Sequence, residues 1–503
     1  MVNFLGPLGS LNTVRWDQER SPIVETITTM QLRGIVINRK AGVPLHRQLE
    51  SALRDAILAG TLEPGERILS SRELRTHLGL SRNTIVNALS QLHAEGYIET
   101  VPGVGAFVAK TAQRRVRETQ LRRPPDGDHS PSRAAARFVA AHQFALPLAT
   151  TAGPFHPGIG AMDLFPARQF RRGFAAAEWT SQTLEYSIPF GNQRLREAIV
   201  KRLRQTRGVE CTPDQVFVAG GAQAILTLIA SVLLTKGDSV VFEDPGYRSV
   251  RAIFIAAGAR IVAVPVDEAG IAVESFVRRR AKLAYVTPSH QYPTGVVLSL
   301  DRRFALLDWA ARHDAWIIED DYDSEFNYTG KPLPPLHTLD NAGRVFYVGT
   351  FSKVLAPALR LAYAVIPYAL VSVFMAAHQV TGAQPSTLLQ AAVATFMERG
   401  YFGRHIAKMR RIYDERRRFV SGELEGSAFR VRDAHAGLHF IAILPPKVRD
   451  VDFARRAAGH AISIPPLSSY FIARPTLNGV LIGFAATAPP AAKRALTTLK
   501  GLL

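Results

Sequence analysis

A lysine, two adjacent aspartates and a tyrosine stand at spacings that suggest one site. Lys353 ends the run Val348-Gly349-Thr350-Phe351-Ser352-Lys353, and Glu319-Asp320-Asp321-Tyr322 lies about thirty residues upstream. A lysine amine can form an imine with an aldehyde, and a carboxylate can hold a ring nitrogen protonated as an electron sink. Pyridoxal 5′-phosphate (PLP) needs both groups. We therefore predict that the chain binds PLP and that Lys353 forms the Schiff base.

The other contacts of PLP follow from the same chemistry. Asp320 is predicted to pair with the pyridine nitrogen, with Asp321 as the competing assignment. Tyr247 is predicted to stack on the ring, and Tyr322 to hydrogen-bond its hydroxyl. The phosphate requires an arginine, hydroxyls and the amides at a helix start. The residues predicted to supply these groups are Ala222, Gln223, Thr350, Ser352 and Arg360.

Each of these residues has an ordinary structural alternative. A lone lysine is usually a surface charge, and an aspartate after a strand is usually a turn residue. Tyr247 follows Pro-Gly and could simply pack in a loop. The ordered set, rather than any single member, carries the prediction.

Short apolar runs that alternate with helical segments must position these groups. The runs 216–218, 239–242, 283–286, 316–318 and 345–348 each lead into a polar or glycine-containing segment. Buried strands that alternate with helices predict an α/β fold with a mostly parallel sheet. Ligands bind beyond the ends of such strands, where the polar segments lie.

A different pattern occupies residues 38–110. An apolar stripe predicts a helix over 45–58, and serines at 70–71 and 81 are suited to begin two further helices. Two short strands around Pro102-Gly103 follow. Together these elements predict a winged helix-turn-helix.

Such a domain can place its third helix in the major groove of DNA. The alternative is a small helical domain with a solvated basic face. Contacts to base edges or phosphates are expected at the starts of the second and third helices and at the wing tip. The predicted DNA-binding residues are Ser71, Arg72, Arg82, Asn83, Thr84, Gly103 and Gly105.

Composition limits the remaining possibilities. The net charge of +19 suggests a polyanionic partner, but +13 of it lies after residue 147 and does not locate a DNA site. The single cysteine, Cys211, fits a reducing compartment, and we expect a cytoplasmic protein. The uncharged stretch 361–397 is interrupted by proline and glycine, which favours a buried strand and helix over a membrane span.

Longer motifs resemble known families. Residues 44–108, with GTLEPGERILSSREL and LGLSRNTIVNAL, resemble the winged helix of GntR-type transcription regulators. Residues 150–503 resemble the fold type I aminotransferases, with EDPGY at 243–247 and TPSHQYPTG at 287–295. The tandem order, with EDDYDSEF and GTFSK, resembles the MocR subfamily of bacterial regulators.

The predicted organisation is an extension (1–37), a winged helix (38–110), a linker (111–147) and an aminotransferase-like PLP-binding effector domain (148–503), which ends in a small α+β subdomain. The resemblance implies a homodimer with shared sites, in which Tyr186 reaches the phosphate of the other subunit. PLP itself, or an amine or amino acid, is the expected effector. No metal is expected.

Two departures from the aminotransferases bear on catalysis. Leu481 stands near the position of the arginine that binds the substrate carboxylate, and Tyr292 replaces an asparagine. An aliphatic side chain cannot pair with a carboxylate; Arg248 or Arg251 could substitute, although a surface role is an equal alternative. The favoured hypothesis is a PLP-binding transcription regulator that senses its ligand through Lys353. The alternative is an active PLP-dependent aminotransferase that carries a DNA-binding module.

Overall fold

The computed structural model divides into two compact units, Met1–Ser130 and Pro131–Leu503. The predicted phosphate contact Tyr186 and residues 1–34 lie outside the part that the structure describes. The described residues are 35–110, 132–145, 153–176, 180, 184–185, 190–328, 333–382, 384–432 and 435–503.

The small unit has the predicted winged helix. Its described helices are α1 (Leu45–Leu58), α2 (Ser71–Leu78) and α3 (Arg82–Ala94), and its strands are β1 (Arg67–Ile68), β2 (Ile98–Val101) and β3 (Gly105–Val108). Strand β3 pairs antiparallel with both β1 and β2. The pairing of β1 was not predicted, because two residues are too few to show a periodic pattern.

Local hydrogen bonds set the helix starts of this unit. Ser70 accepts from the Glu73 amide (3.3 Å) while the Glu73 carboxylate accepts from the Ser70 amide (2.7 Å), which forms a capping box. Ser81 accepts from the Thr84 amide at 3.2 Å and so begins α3. The two serine-capped helices therefore start where the sequence pattern indicates.

The large unit contains a central sheet flanked by helices. Its strands are β4 (Val216–Ala219), β5 (Ser239–Asp244), β6 (Arg260–Asp267), β7 (Gly270–Ile271), β8 (Leu283–Val286), β9 (Trp316–Asp321), β10 (Val345–Thr350) and β11 (Ala362–Val365). The strand order is β4-β11-β10-β9-β8-β5-β6-β7. Strands β6, β5, β8, β9 and β10 run parallel, whereas β11 is antiparallel to both of its neighbours. The prediction of a mostly parallel sheet is confirmed.

Helices and a smaller sheet complete this unit. The helices are α4 (Arg133–Ala145), α5 (Ala167–Ala175), α6 (Gln193–Arg207), α7 (Ala222–Leu233), α8 (Arg248–Ala257), α9 (Leu300–His313), α10 (Leu336–Leu339), α11 (Val371–Thr381), α12 (Thr387–Glu398), α13 (Tyr401–Leu424), α14 (Asp450–Gly459) and α15 (Pro489–Gly501). An antiparallel sheet of β12 (Arg430–Val431), β13 (His439–Ile443) and β14 (Gly479–Gly483) forms the C-terminal α+β part.

The end of the segment predicted as a linker is a packed helix. Residues 133–145 form α4, which packs on α8. The Arg137 Nε donates to the Ala256 carbonyl at 3.1 Å, and the Arg251 guanidinium lies 4.2 Å from the centre of the Phe144 ring. An alanine-rich sequence suits a helix as well as a tether, and only tertiary contacts decide between them.

The uncharged stretch 361–397 forms β11, α11 and α12. Among the residues that the structure describes, no helix is both long and apolar enough to cross a membrane.

Candidate functional site

A cavity of about 360 Å³ lies beside the C-terminal ends of β5 and β8. This is the size of a small-molecule site. Its walls include Lys353, Arg248 and the aromatic residues Tyr247, Tyr285, Tyr292 and Tyr322. The end of α4 also reaches this cavity, through Phe144 and Ala145.

The Lys353 amine lies at the cavity wall. Lys353 follows β10, and its Nζ donates to the Gly158 carbonyl at 2.6 Å. Glycine suits this position, because Gly158 has a φ of 72° and a Cβ there would lie only 3.0 Å from this nitrogen. Burial lowers the pKa of Lys353, while the charges of Asp323 and Asp320 act in the opposite direction. A lowered pKa favours the neutral amine, which is the nucleophilic form.

The two competing aspartates point to opposite faces of β9, as consecutive strand residues must. Asp320 accepts a 2.6 Å hydrogen bond from the Tyr285 hydroxyl, which belongs to the cavity wall. Asp321 instead accepts from Arg207 at 3.1 Å and from the Tyr347 hydroxyl. Asp320 is therefore the carboxylate beside the cavity, whereas Asp321 is held in a buried ion pair.

Tyrosines form one side of the cavity. The Tyr292 ring lies 5.2 Å from that of Tyr247 and 5.9 Å from that of Tyr322. The Tyr292 hydroxyl is 3.2 Å from the Tyr470 hydroxyl. Tyr292 thus joins Tyr247 and Tyr322, the two tyrosines predicted to contact the PLP ring, into an aromatic wall.

The predicted phosphate ligands come from one edge of the sheet. Thr350 pairs with Ala362 and Ala362 pairs with Ala219, so the ends of β10 and β4 flank the start of β11. A Cβ at Gly221, which precedes α7, would lie 3.3 Å from the Arg360 guanidinium. The Arg360 guanidinium therefore lies at the N-terminus of α7, where the backbone amides of Ala222 and Gln223 also lie. The Ser352 amide donates to the Thr350 hydroxyl at 3.1 Å, which places both residues at this edge.

Leu481, predicted to stand near the position of a carboxylate-binding arginine, lies in apolar surroundings. Leu481 is fully buried in a cluster with Ile441, Leu467 and Tyr470. Arg248 lies instead at the cavity wall, where its Nη1 donates to the Ser469 carbonyl at 3.1 Å. Among the described residues Arg248 has no carboxylate partner, and its buried Nε has no hydrogen-bond partner.

Sequence reasoning missed a buried polar group beneath the cavity. Glu243 accepts from the Thr287 hydroxyl at 2.7 Å and from the Gln291 amide at 3.1 Å. Burial raises the pKa of Glu243 to about 7. His290 and Asp323 form a second buried pair nearby. The polar run Ser289-His290-Gln291 between two buried segments is the sequence signal that could have indicated His290 and Gln291.

The start of α3 presents an exposed polar surface on the small unit. Arg82 and Asn83 are exposed, whereas Thr84 is half-buried and contacts the Ser81 hydroxyl at 2.8 Å. Asn87 is exposed one turn after Asn83 and was not predicted, although the spacing of four residues puts both on one helical face.

The remaining predicted DNA contacts lie at the start of α2 and on the wing. Arg72 is exposed and Ser71 half-buried at the first turn of α2. In the wing turn Gly103 has a φ of 78° and Gly105 a φ of 138°, which other residues rarely adopt. The Arg67 side chain lies along Gly105 and brings a cation to the wing.

Comparison with known families matches both units. Residues 45–108 match the model of the gntR family of bacterial regulatory proteins, and residues 158–476 match aminotransferase class I and II. The chain is 37% identical to the "Probable rhizopine catabolism regulatory protein MocR" of Rhizobium meliloti, over 93% of this chain and 95% of that protein. It is 31% identical to the "HTH-type pyridoxine biosynthesis transcriptional regulator PdxR" of Corynebacterium glutamicum, over 90% and 94%.

Solved aminotransferases share the fold of the large unit. LysN, the α-aminoadipate aminotransferase of Thermus thermophilus, was solved with N-(5′-phosphopyridoxyl)-L-leucine. It superposes with a TM-score of 0.66 and 27% identity, over 74% of this chain and 96% of LysN. The predictions of a PLP cofactor and of a DNA-binding domain are thereby confirmed. The chain belongs to the MocR-type GntR-family transcription regulators, in which a winged helix precedes an aminotransferase-like PLP domain.

Proposed function

We propose that this regulator holds PLP on Lys353, senses a small anionic amine through the same cavity and changes its binding of operator DNA in response. The observation that carries the proposal is the Lys353 amine at the wall of a tyrosine-lined cavity, with Asp320 beside it. Such an arrangement serves a cofactor and a ligand rather than the stability of the fold.

The chain's own side chains suit PLP. Lys353 supplies the amine, Asp320 the carboxylate for the ring nitrogen, and Tyr322 a hydroxyl for the ring oxygen. Tyr247, which lines the same cavity as Lys353, is assigned to the ring face. The phosphate is assigned to the sheet edge formed by Thr350, Ser352, Arg360 and the amides of Ala222 and Gln223. When bound, PLP supplies an aldehyde that reacts with amines.

The ligand class follows from the unpaired cation at the cavity. Arg248 offers its guanidinium there without a carboxylate partner among the described residues. A carboxylate on the ligand would satisfy it, and an amine on the same ligand would meet PLP. An amino acid or a related amino-carboxylate therefore fits both ends. Leu481 makes sensing a better role than turnover, because the usual carboxylate anchor is replaced by a core residue.

The ligand signal leaves the cavity through α4. Phe144 and Ala145 line the cavity, and residues 111–131 connect α4 to the winged helix along the chain. A ligand shifts an equilibrium only if it binds one arrangement better than the other. A ligand carboxylate would compete with the α4 carbonyl of Gln143 for the Arg248 guanidinium. The ligand would therefore bind better to the arrangement in which this contact with α4 is broken.

We also propose a homodimer, which gives two winged helices for two half-sites of operator DNA. The family resemblance assigns Tyr186 to the PLP phosphate of the other subunit. Sedimentation of the full-length chain should give twice its 55.1 kDa mass. A monomer that still binds a two-half-site operator with full affinity would contradict the dimer.

Lys353→Ala tests the proposal as a whole. Purified wild-type protein with PLP should show visible absorbance from the lysine-bound cofactor, and operator binding should change when an amino-carboxylate is added. Lys353→Ala should lose both responses yet still bind operator DNA through its winged helix. Lys408→Ala, which removes an exposed lysine of α13, is the matched control.

Two results would contradict the proposal. Visible absorbance that survives in Lys353→Ala would show that another residue holds PLP. Steady conversion of an amino acid and a keto acid by the wild-type protein would favour the active aminotransferase instead.

A further inference from the structure

A buried histidine–carboxylate pair lies behind the tyrosine wall, and the PLP contacts assigned above do not use it. His290 Nδ1 lies 3.0 Å from the Asp323 carboxylate and 2.9 Å from the Tyr322 hydroxyl. The side chains of His290 and Asp323 are each only 1% exposed. Gly437 makes room for them, because a Cβ there would overlap both groups.

The proton on His290 follows from its neighbours. A carboxylate can only accept, so the Nδ1 that faces Asp323 carries the hydrogen. His290 Nε2 is buried without a partner in the described part of the chain, which disfavours a second proton there. Since Nδ1 donates, the Tyr322 oxygen beside it accepts. The hydroxyl hydrogen of Tyr322 then remains for a different acceptor.

We propose that His290 and Asp323 are positioning residues that make Tyr322 a hydrogen-bond donor to the ring hydroxyl oxygen of PLP. The inference rests on the proposed contact between Tyr322 and PLP. It adds the reason why Tyr322 donates, rather than accepts, the hydrogen bond in that contact. With PLP bound through Lys353, a donor at this oxygen would stabilise the deprotonated form of the cofactor. The pair therefore lowers the pH at which the lysine-bound cofactor loses its proton.

The other ionisable groups around His290 and Asp323 do not replace the hydrogen that His290 Nδ1 donates to the Tyr322 oxygen. Burial and the neighbouring His290 lower the pKa of His439 to about 3, so it stays neutral, and its Nε2 lies 3.2 Å from the Pro293 carbonyl. The remaining ionisable groups whose charges act on the pair or on Tyr322 are Glu243, Tyr292, Asp320, Tyr328 and Lys353. The tyrosines are held neutral by burial, which raises the pKa of Tyr292 and Tyr328 well above the ordinary value.

A matched pair of amide substitutions separates the two imidazole nitrogens. His290→Asn keeps an N–H near the Nδ1 position, whereas His290→Gln places it near Nε2. The visible absorbance of the PLP-loaded full-length protein is titrated against pH. We expect the midpoint to rise by about one pH unit, or tenfold in proton affinity, in His290→Gln and in Tyr322→Phe. The midpoint of His290→Asn should stay near the wild-type value.

A double substitution shows whether His290 acts through Tyr322. Adding His290→Gln to Tyr322→Phe should give no further rise, because the group that His290 orients is already absent. An equal rise in both backgrounds, or no rise in either, would overturn the proposal. PLP attachment through Lys353 would survive either result, so the failure is distinguishable from failure of the proposed function.

Two controls keep the test decisive. If His290→Gln does not fold, as judged by its melting temperature, His290→Leu replaces it, because leucine has no N–H. A midpoint in the wild-type protein that moves with added zinc and returns with a chelator would overturn the proposal. It would assign His290, Asp323 and His439, whose ligand atoms lie within 4.8 Å of one another, to a cation site.

Discussion

The Arg248 guanidinium donates a 2.8 Å hydrogen bond from Nη2 to the Gln143 carbonyl, and it thereby ties the cavity wall to the last turn of α4. The next residue, Phe144, lies over the Arg251 guanidinium at 4.2 Å. An anionic ligand group that reaches Arg248 must compete with this carbonyl. The Arg248 side chain therefore links ligand binding to the packing of α4.

Arg248→Gln should weaken ligand binding while PLP stays bound. The amide cannot neutralise a carboxylate, and the loss of a charge-assisted hydrogen bond costs about 1.5–3 kcal/mol, or roughly 10- to 150-fold in ligand affinity. The measurement is the shift of PLP absorbance as an amino-carboxylate is titrated in. Arg449→Gln, at an arginine that is 80% exposed, is the control. Equal ligand affinity in the two variants would remove Arg248 from the site.

PLP affinity should fall in acid because of Asp320. Burial raises the pKa of this carboxyl from its ordinary 3.8 to about 6 in the cofactor-free protein. Above pH 6 the carboxylate is ready to pair with the protonated ring nitrogen; below pH 6 it must first release a proton. The affinity should therefore decrease by up to about tenfold for each pH unit below 6.

Equilibrium dialysis of PLP against pH checks this dependence. Asp320→Asn carries no titrating group, so its weaker PLP binding should lose the Asp320 component of the acid decrease. A variant that retains the whole decrease would assign it to another buried acid, such as Glu243 or Glu319, whose pKa values burial raises to about 7.

Asp321→Asn should affect stability rather than the cofactor. This carboxylate is the buried partner of Arg207, with side chains 1% and 5% exposed. Removing one charge of a buried pair leaves the other uncompensated, which costs about 3–5 kcal/mol. Urea denaturation should show this loss, whereas Asp314→Asn, at an exposed partner of Arg344, should cost less than about 1 kcal/mol. Loss of PLP absorbance without loss of stability would reverse the assignment of the two aspartates.

Sequence patterns predicted the parts of this molecule that local rules control. The serine caps, the third helix and the parallel strands follow from short-range hydrogen bonds and apolar periodicity. Asp320 was predicted, but Asp321 stayed a competing assignment, since the choice depends on which face of β9 meets Tyr285 and which meets Arg207. The structure was required to place the two side chains.

Contacts between distant segments explain what was missed. Arg137, 119 residues from Ala256, fixes a helix within the segment that was predicted as a linker. His290 and Asp323 are 33 residues apart, and their pairing depends on the meeting of two loops at the end of the sheet. No periodic pattern in the sequence encodes either contact.

Arg82→Ala should weaken operator binding and leave PLP binding unchanged. Arg82 is exposed in the first turn of α3 and has no acidic partner among the residues that the structure describes in this unit, so its charge is available to DNA. Loss of a base contact costs about 1–3 kcal/mol, whereas loss of a phosphate contact lowers the salt dependence of binding by about one ion. Fluorescence anisotropy with operator DNA at several salt concentrations separates the two. Arg494→Ala, at an exposed arginine of α15, should change neither quantity, and unchanged binding in Arg82→Ala would exclude this residue from the interface.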